Sequence, residues 1–440
     1  MWPILERLRV EAIKQKESAA ATNSTTKRGE SGVGSANEID TKPKEKEKQT
    51  KRKRGIYINL TQCKYDTVRT VAAQRGWLED EDDKGKKNLF TVYWCDGAVT
   101  KYRVAQLKNH QRINHFPGLE VLAHKTHLSQ ILNKMEKAFP SEYNFMPKTF
   151  ILSRHVEPFR AYCTTPNGHK KTWIFKPSTG ACGKGIVLTK DPLHWANDFD
   201  DTVVQEYITN PLLIEGKKFD MRVYVLVTSV RHLSVFMYNE GLVRICAVPY
   251  QQPTSANMDN ECVHLTNYSI NKEHPNFSPG ESDAGDTGSK RDFRWFNRFM
   301  TENGQNPKDV WADISDVIVK TLIAAHPTLS HMYKICFPHS NAGFTCFQIL
   351  GFDILFDTQY RPWVLEVNQS PSLRGDTPID FRIKTGLLQE TMQILNLRLS
   401  DEERDQDLQQ ARSRARLLGG KFEAASKSGG KHVKTHMAVE

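Results

Sequence analysis

The chain has 440 residues, 38% hydrophobic and 25% charged, and its 61 Lys and Arg against 51 Asp and Glu give a formal net charge of +10. This length suits about two to four domain-sized units with sizeable cores; 21 Phe, 13 Tyr and 8 Trp exclude a solvated chain, and 26 Gly and 20 Pro without a repeat exclude a collagen-like one. No run approaches the roughly 18 apolar residues of a membrane span, and Glu6, Arg7 and Arg9 interrupt the first apolar run, so neither a membrane anchor nor a secretory leader is expected.

Residues 18–54 are rich in Ser, Thr, Lys, Glu and Gly and end in Lys51-Arg52-Lys53-Arg54. The composition predicts a disordered tail over 1–54, and the basic cluster suits a nuclear address, a nucleic-acid arm, a handle for an acidic partner or a solvated end. Order begins with a strand at 56–60. A helix over 66–75 closing at Gly76, a strand at 89–94 and helical segments to about residue 144 make 55–145 a small α/β unit. From Thr149 the pattern turns to strands, at 150–153, 172–176, 185–189, 202–208, 221–229 and 233–239. Their alternation predicts a sheet with one packed and one working face. A long loop over 273–292, a helix over 310–325, strands at 347–356 and 362–367 and a helix over 383–397 complete a unit spanning 146–398.

The eight cysteines at 63, 95, 163, 182, 246, 262, 336 and 346 are scattered, as in a reducing compartment. The nearest approach to a zinc pattern, His331, Cys336, His339 and Cys346, reads better as buried thiols and surface imidazoles.

Three constellations carry chemistry. The first is Trp173-Ile-Phe-Lys176-Pro177 followed by Gly180-Ala-Cys-Gly183-Lys184-Gly185. A strand ending in lysine, a glycine-rich turn and a second strand can cradle phosphates, the glycines admitting backbone N–H groups and the lysines offsetting charge. It is not a Walker A loop, because Gly rather than Ser or Thr follows Lys184. The second is Asp353 with Glu366 and Asn368, in Trp363-Val-Leu-Glu-Val-Asn. Residues two apart on a strand share a face, so Glu366 and Asn368 project together while Trp363, Leu365 and Val367 pack behind, and a hairpin across 357–362 lets Asp353 join them. Three oxygen donors on a sheet suit Mg2+. The third is Lys217-Lys218-Phe-Asp220-Met-Arg222, where alternation puts Asp220, Arg222 and Tyr224 on one face, as a structural ion pair or an anion clamp.

Three strings, Lys218-Phe-Asp-Met-Arg-Val-Tyr-Val-Leu-Val-Thr-Ser, His264-Leu-Thr-Asn-Tyr-Ser-Ile-Asn-Lys272 and Trp363-Val-Leu-Glu-Val-Asn-Gln-Ser-Pro-Ser372, resemble the tubulin tyrosine ligase-like proteins, most closely their polyglutamylase branch, from about residue 56 to 398. The resemblance implies an α+β ATP-grasp fold with a small N-terminal α/β lobe and a nucleotide held between antiparallel sheets. It implies that ATP, with Mg2+, activates a glutamate γ-carboxylate of a tubulin C-terminal tail as an acylphosphate, which the amine of free L-glutamate then attacks. By motif, Lys176, Lys184 and Gly185 would meet phosphates, and Gln205, Glu206, Tyr207 and Ile208 the adenine. Lys218, Phe219, Asp220, Thr266 and Asn267 would complete the ATP site. Asp353, Glu366 and Asn368 would hold metal, with Arg222 and Glu366 catalytic, and Arg244, Tyr268, Ser269, Lys290 and Lys384 would bind glutamate. Cys182 stands at the acceptor-facing position where family members that start side chains carry Arg and elongating members tend to carry Gln; it matches neither, and overall similarity implies elongation.

Ser400-Asp-Glu-Glu403 is a capping box opening a helix whose acids come first and arginines last, with Gly419 as its expected C-cap, so 399–440 reads as a helix plus a basic tail. Residues 42–54 hold eight Lys and Arg against two Glu, and 412–434 hold seven against one, so the positive charge is mainly a property of the two ends. These arms suit an acidic polymer such as the microtubule. A monomer in the cytoplasm and cytoskeleton, at cilia, basal bodies or axonemes, is expected, with neither nucleic acid nor membrane as partner. The alternatives are a tubulin-tail ligase for another amino acid such as glycine, and a non-catalytic microtubule-binding protein.

Overall fold

A computed structural model describes residues 53–80, 89–97, 99–178, 180, 183–196, 202–280, 285–338 and 343–417. The tail expected over 1–54, except for its last two residues, lies outside the described residues, as do the basic tail after Leu417, the expected cap Gly419 and Cys182.

Three sheets form among the described residues. The first is wholly parallel, in the order β2 (Leu78–Glu79), β1 (Tyr57–Gln62), β3 (Val92–Cys95), β4 (Arg112–Ile113). Parallel strands need crossover connections, and the helix Asp66–Gln74 supplies one, burying Val68, Val71 and Ala72 at helical spacing and giving way to Gly76 at φ +70°. The second sheet is antiparallel, ordered β5 (Thr149–Ile151), β8 (Thr202–Glu206), β6 (Trp173–Pro177), β7 (Val187–Thr189). The third, also antiparallel, is ordered β12 (Lys290–Arg291), β11 (Ser234–Ile245), β10 (Lys217–Ser229), β13 (Gln348–Phe356), β14 (Pro362–Asn368), with β9 (Leu213–Ile214) beside the start of β10.

Several expectations are corrected. The strand expected at 150–153 ends at Ile151, and the helix Leu152–Cys163 follows, because Leu152, Val156, Phe159 and Cys163 recur at helical spacing and pack on Phe150, Trp173 and Phe175. The helix expected over 310–325 runs from Pro307 to Cys336, with Asn306 as its cap and Pro327 in its interior. The loop expected over 273–292 contributes the edge strand β12.

The large sheet does not divide into one packed and one working face. Met221, Val223 and Val225 of β10 enter one core with Phe293, Phe296 and the helix Pro307–Cys336, while Tyr224 and Leu226 enter a second core beneath the helices Asp66–Gln74 and Pro378–Leu395. Only the end of β10 near Lys218, Asp220 and Arg222 is left for polar work. Close approach at that end requires glycine, since a Cβ on Gly351 would meet Arg222 Cδ at 2.9 Å, inside any real carbon contact.

Candidate functional site

Between the second and third sheets lies an open cleft. Residues from across the chain converge on it: Lys176 and Gln205 from β6 and β8, Lys184 from the glycine-rich turn, Lys218 and Asp220 from β10, Thr266 and Asn267, and Asp353 and Glu366 from β13 and β14. Glu206, Tyr207 and Ile208, which leave β8, line it as well.

The β6–β7 turn is shaped by its glycines, Gly183 at φ +81° and Gly185 at φ +72°. Lys176 donates to Gln205 Oε1 at 2.7 Å, and Gln205 in turn donates to Thr149 Oγ1 at 2.9 Å, which fixes both side chains. Burial pulls Lys176 down to about 8. Lys218, 6% exposed, donates to Tyr207 Oη at 3.0 Å and to the His264 carbonyl at 2.8 Å, with its ammonium 4.2 Å from the Tyr207 ring centre. Burial brings it too to about 8. His264 is held neutral, down to about 4, by burial and then by the Lys218 charge. Its Nδ1 lies 3.2 Å from Tyr207 Oη and its Nε2 3.1 Å from the Asn257 carbonyl.

Two arginines and two carboxylates interlock at the cleft floor. Arg222 donates to both oxygens of Asp353, at 2.5 and 3.0 Å. Arg244 donates to both oxygens of Asp220, at 2.6 and 2.5 Å, and reaches Asp353 at 2.8 Å. Thr266 adds a bond to Asp220 at 2.6 Å. Burial raises the Asp220 carboxyl against the pull of Arg244, whereas Arg222 and Arg244 overcome burial at Asp353 and hold it well below the carboxylate range.

Asp353 sits directly opposite Glu366 across the β13–β14 hairpin, and Asn368 Nδ2 donates to Glu366 Oε1 at 3.2 Å. The strand between them departs from simple alternation. Asp353 pairs with Glu366 and the next residue, Ile354, with Val364, so Leu365 is an extra residue on β14. This bulge turns Leu365 and Glu366 into the cleft and leaves Val364 and Val367 to the core, in place of the Trp363, Leu365, Val367 face that alternation predicts. Among the described residues no group of three or more His, Cys, Asp or Glu converges. The donors are an acidic pair and an amide, the oxygen-bearing set that a hard cation takes, and burial, then the neighbouring Asp353 charge, raises Glu366.

Phe219 does not line the cleft; it is wholly buried with its ring 6.0 Å from Phe296 and 6.4 Å from Phe356. Arg244, Lys290, Lys384 and Tyr268 form a neighbouring group. Lys290 is the cross-strand partner of Arg244, its ammonium lies 3.8 Å from the centre of the Tyr268 ring, and Tyr268 opens the short helix Tyr268–Asn271 that also carries Ser269. Lys384 comes from the buried side of the helix Pro378–Leu395.

Lys125 is a cleft residue that the sequence reading did not single out. At the start of the helix Lys125–Ala138, its Nζ donates to the Gly180 carbonyl at 2.7 Å and lies 3.9 Å from Glu366, while the next residue, Thr126, meets Ser178 at 3.0 Å. One lysine thus joins the glycine-rich turn to the acidic pair. Nothing in the sequence marks it, because its partners lie 55 and 241 positions away.

The sequence is similar to those of known proteins. The profile described as "Tubulin-tyrosine ligase family" matches residues 104–405. The chain is 39% identical over 415 residues to tubulin polyglutamylase TTLL13 of Mus musculus, covering 94% of this chain and 50% of that protein. It is 43% identical over 362 residues to tubulin polyglutamylase ttll6 of Danio rerio (82% and 45%), and 39% identical over 380 residues to tubulin polyglutamylase TTLL7 of Homo sapiens (86% and 42%). It spans about half the length of these relatives or less.

Proposed function

The chain belongs to the tubulin-tyrosine ligase family, and on that premise we propose that it is an ATP-dependent ligase that joins free L-glutamate to glutamate γ-carboxylates in tubulin C-terminal tails, with an ATP-grasp arrangement of its two antiparallel sheets. The observation that carries this reading is the convergence of Lys176, Lys184, Lys125 and Lys218 with the Asp353–Glu366 pair on one cleft. Cations above and carboxylates below are what a nucleotide polyphosphate with its metal requires.

A carboxylate is a poor electrophile, so the γ-phosphoryl group is transferred to it first, giving an acylphosphate, and the glutamate amine then displaces phosphate to leave an isopeptide bond. Lys218, held by Tyr207 and the His264 carbonyl, would read the adenine side, and Lys176, Lys184 and Lys125 would take the phosphates. Asp353, Glu366 and Asn368 would hold Mg2+, which supplies Lewis-acid charge to the transferring phosphoryl group. Arg222, fixed by two bonds to Asp353, is oriented to offset negative charge on the acylphosphate, and Arg244 with Lys290 and Lys384 would orient the dicarboxylic amino acid. Elongation of existing side chains is the favoured mode, on microtubules of cilia, basal bodies and axonemes.

The test is incorporation of labelled glutamate, in competition with labelled glycine, into microtubules with ATP, for wild type and Glu366→Gln. Wild type is expected to incorporate glutamate and the variant to lose at least about 100-fold, the scale at which a single electrostatic group acts on a transition state. Equal incorporation by the two proteins refutes the catalytic assignment.

A further inference from the structure

Lys290 and Lys384 reach the amino-acid side of the cleft from unrelated elements, the edge strand β12 and the helix Pro378–Leu395, yet both end on one side chain. Lys290 Nζ lies 2.5 Å from Asp380 Oδ2, and Lys384 Nζ lies 2.7 Å from Asp380 Oδ1. Thr377, the N-cap of the helix, donates its hydroxyl to Oδ2 at 2.6 Å and accepts from the Asp380 backbone N–H at 3.3 Å. The carboxylate is 2% exposed and the two lysines 6% each.

Three features set this cluster apart from an ordinary buried ion pair. Among the described residues one carboxylate serves two ammonium groups, which leaves one positive charge in excess at a place shielded from water. The remaining contacts of the lysines are the Tyr268 ring, 3.8 Å from Lys290, and the Arg374 carbonyl, 2.6 Å from Lys384, neither of which neutralises that charge. Lys290 is also paired across the strands with Arg244, whose own charge is committed to Asp220 and Asp353. A buried cluster with one cation too many is an anion site, and its geometry is set by the group that both cations share.

We propose that Asp380 is a positioning residue for the amino-acid substrate: its carboxylate clamps Lys290 and Lys384 into one fixed, singly charged receptor for a substrate carboxylate. The proposal rests on the reading of the preceding subsection that this region receives free glutamate. Asp380 does not touch the substrate in this account; it acts through the two lysines. Two flexible, strongly hydrated lysine stems are poor specificity elements when free, and the shared carboxylate removes that freedom before substrate arrives. It also sustains the charge of Lys384, which burial otherwise lowers. The opposite possibility, that Asp380 occupies the place of a substrate carboxylate and must be displaced, makes the opposite prediction for the same variant.

The experiment compares wild type, D380N and D380E in steady-state glutamate incorporation with ATP, varying glutamate and ATP separately, alongside thermal unfolding. Under the proposal, D380N raises KM for glutamate at least tenfold while KM for ATP and kcat stay within about twofold. D380E, which keeps the charge but moves it by one methylene, gives an intermediate rise. An unchanged or lowered KM for glutamate in D380N, or parallel losses in kcat and in both KM values, overturns the proposal. If D380N does not fold, D380E decides: a KM for glutamate within twofold of wild type overturns it. Wild type that incorporates a different amino acid refutes the glutamate reading instead, and the effect of Asp380 is then read on the KM of that amino acid.

Discussion

Replacing Arg244 by Met removes the guanidinium that two buried carboxylates share. Asp220 loses bonds of 2.6 and 2.5 Å and keeps only the Thr266 hydroxyl, while Asp353 retains its two bonds to Arg222. Asp220 is 2% exposed and already raised by burial, with Arg244 limiting the rise, so without it the carboxyl takes up a proton in the folded protein at neutral pH. Holding that proton at pH 7 against a carboxyl that ionises near 3.8 in the unfolded chain costs about 4 kcal/mol, at about 1.36 kcal/mol per pH unit. Protonation therefore sets a ceiling, in the range of about 3–5 kcal/mol found when a buried pair is broken. The sign follows from the direction: a group whose folded value is raised gives stability that is lost as pH rises, so the deficit of the variant shrinks towards acid, to about 2 kcal/mol at pH 5. Urea unfolding of ligand-free wild type and Arg244→Met at pH 7 and pH 5 measures both numbers. A deficit below about 1 kcal/mol at pH 7, or one identical at the two pH values, refutes the account of Arg244 as the shared counter-ion of a buried pair.

Lys176 and Lys218, each near 8, give the cleft a pH dependence of the other sign. Nucleotide phosphates raise Lys176, so nucleotide binding near pH 8.5 takes up protons and its affinity falls as pH climbs from 8 to 9.5; calorimetry in buffers of different ionisation enthalpy reads the uptake, and a flat profile contradicts the burial of this lysine. The ligand-free protein gains stability over the same range, since the unfolded chain there holds the protons the folded one has lost. A third prediction concerns the helix Ser400–Leu417, which docks through Asp405. That carboxylate, 4% exposed, lies 3.0 Å from His110 Nδ1 and accepts from Asn109 at 3.0 Å and Gln409 at 3.2 Å. Asp405→Ala leaves the buried His110 ring without its carboxylate partner, at about 1–3 kcal/mol, so amide exchange in that helix should quicken about tenfold with nucleotide affinity unchanged; unaltered exchange disproves the docking role.

The parts of this molecule that sequence made legible are those whose physics is local. β10 and β11 announce themselves by alternation and the β13–β14 hairpin by two apolar runs around a turn, whereas the helix expected from residue 383 starts five residues earlier, at Pro378, behind the cap Thr377. The glycine-rich turn after Lys176 was legible for the same reason, since left-handed backbone at Gly183 and Gly185 demands glycine wherever the chain goes afterwards. What stayed hidden depends on distant partners. The bulge at Leu365 arises from register against β13, and no property of Trp363-Val-Leu-Glu forecasts it. Lys125 and Asp380 look like ordinary helix-start residues until the fold brings Glu366 to one and Lys290 to the other. The strand expected through residue 153 failed because Phe150-Ile-Leu is equally apolar as a strand or as a helix entry, and only Trp173 and Phe175 beneath it decide between them.

The two arginines at the cleft floor and the lysine above them already have acidic companions: Arg222 with Asp353, Arg244 with Asp220, and Lys125 beside Glu366. An anion that enters beside one of these three trades places with a carboxylate already there, whereas Lys176 and Lys218 hold neutral hydrogen-bond partners and meet it with their charge uncancelled. Binding there is thus in part an exchange of partners, and its dependence on ionic strength should report the lysines rather than the arginines.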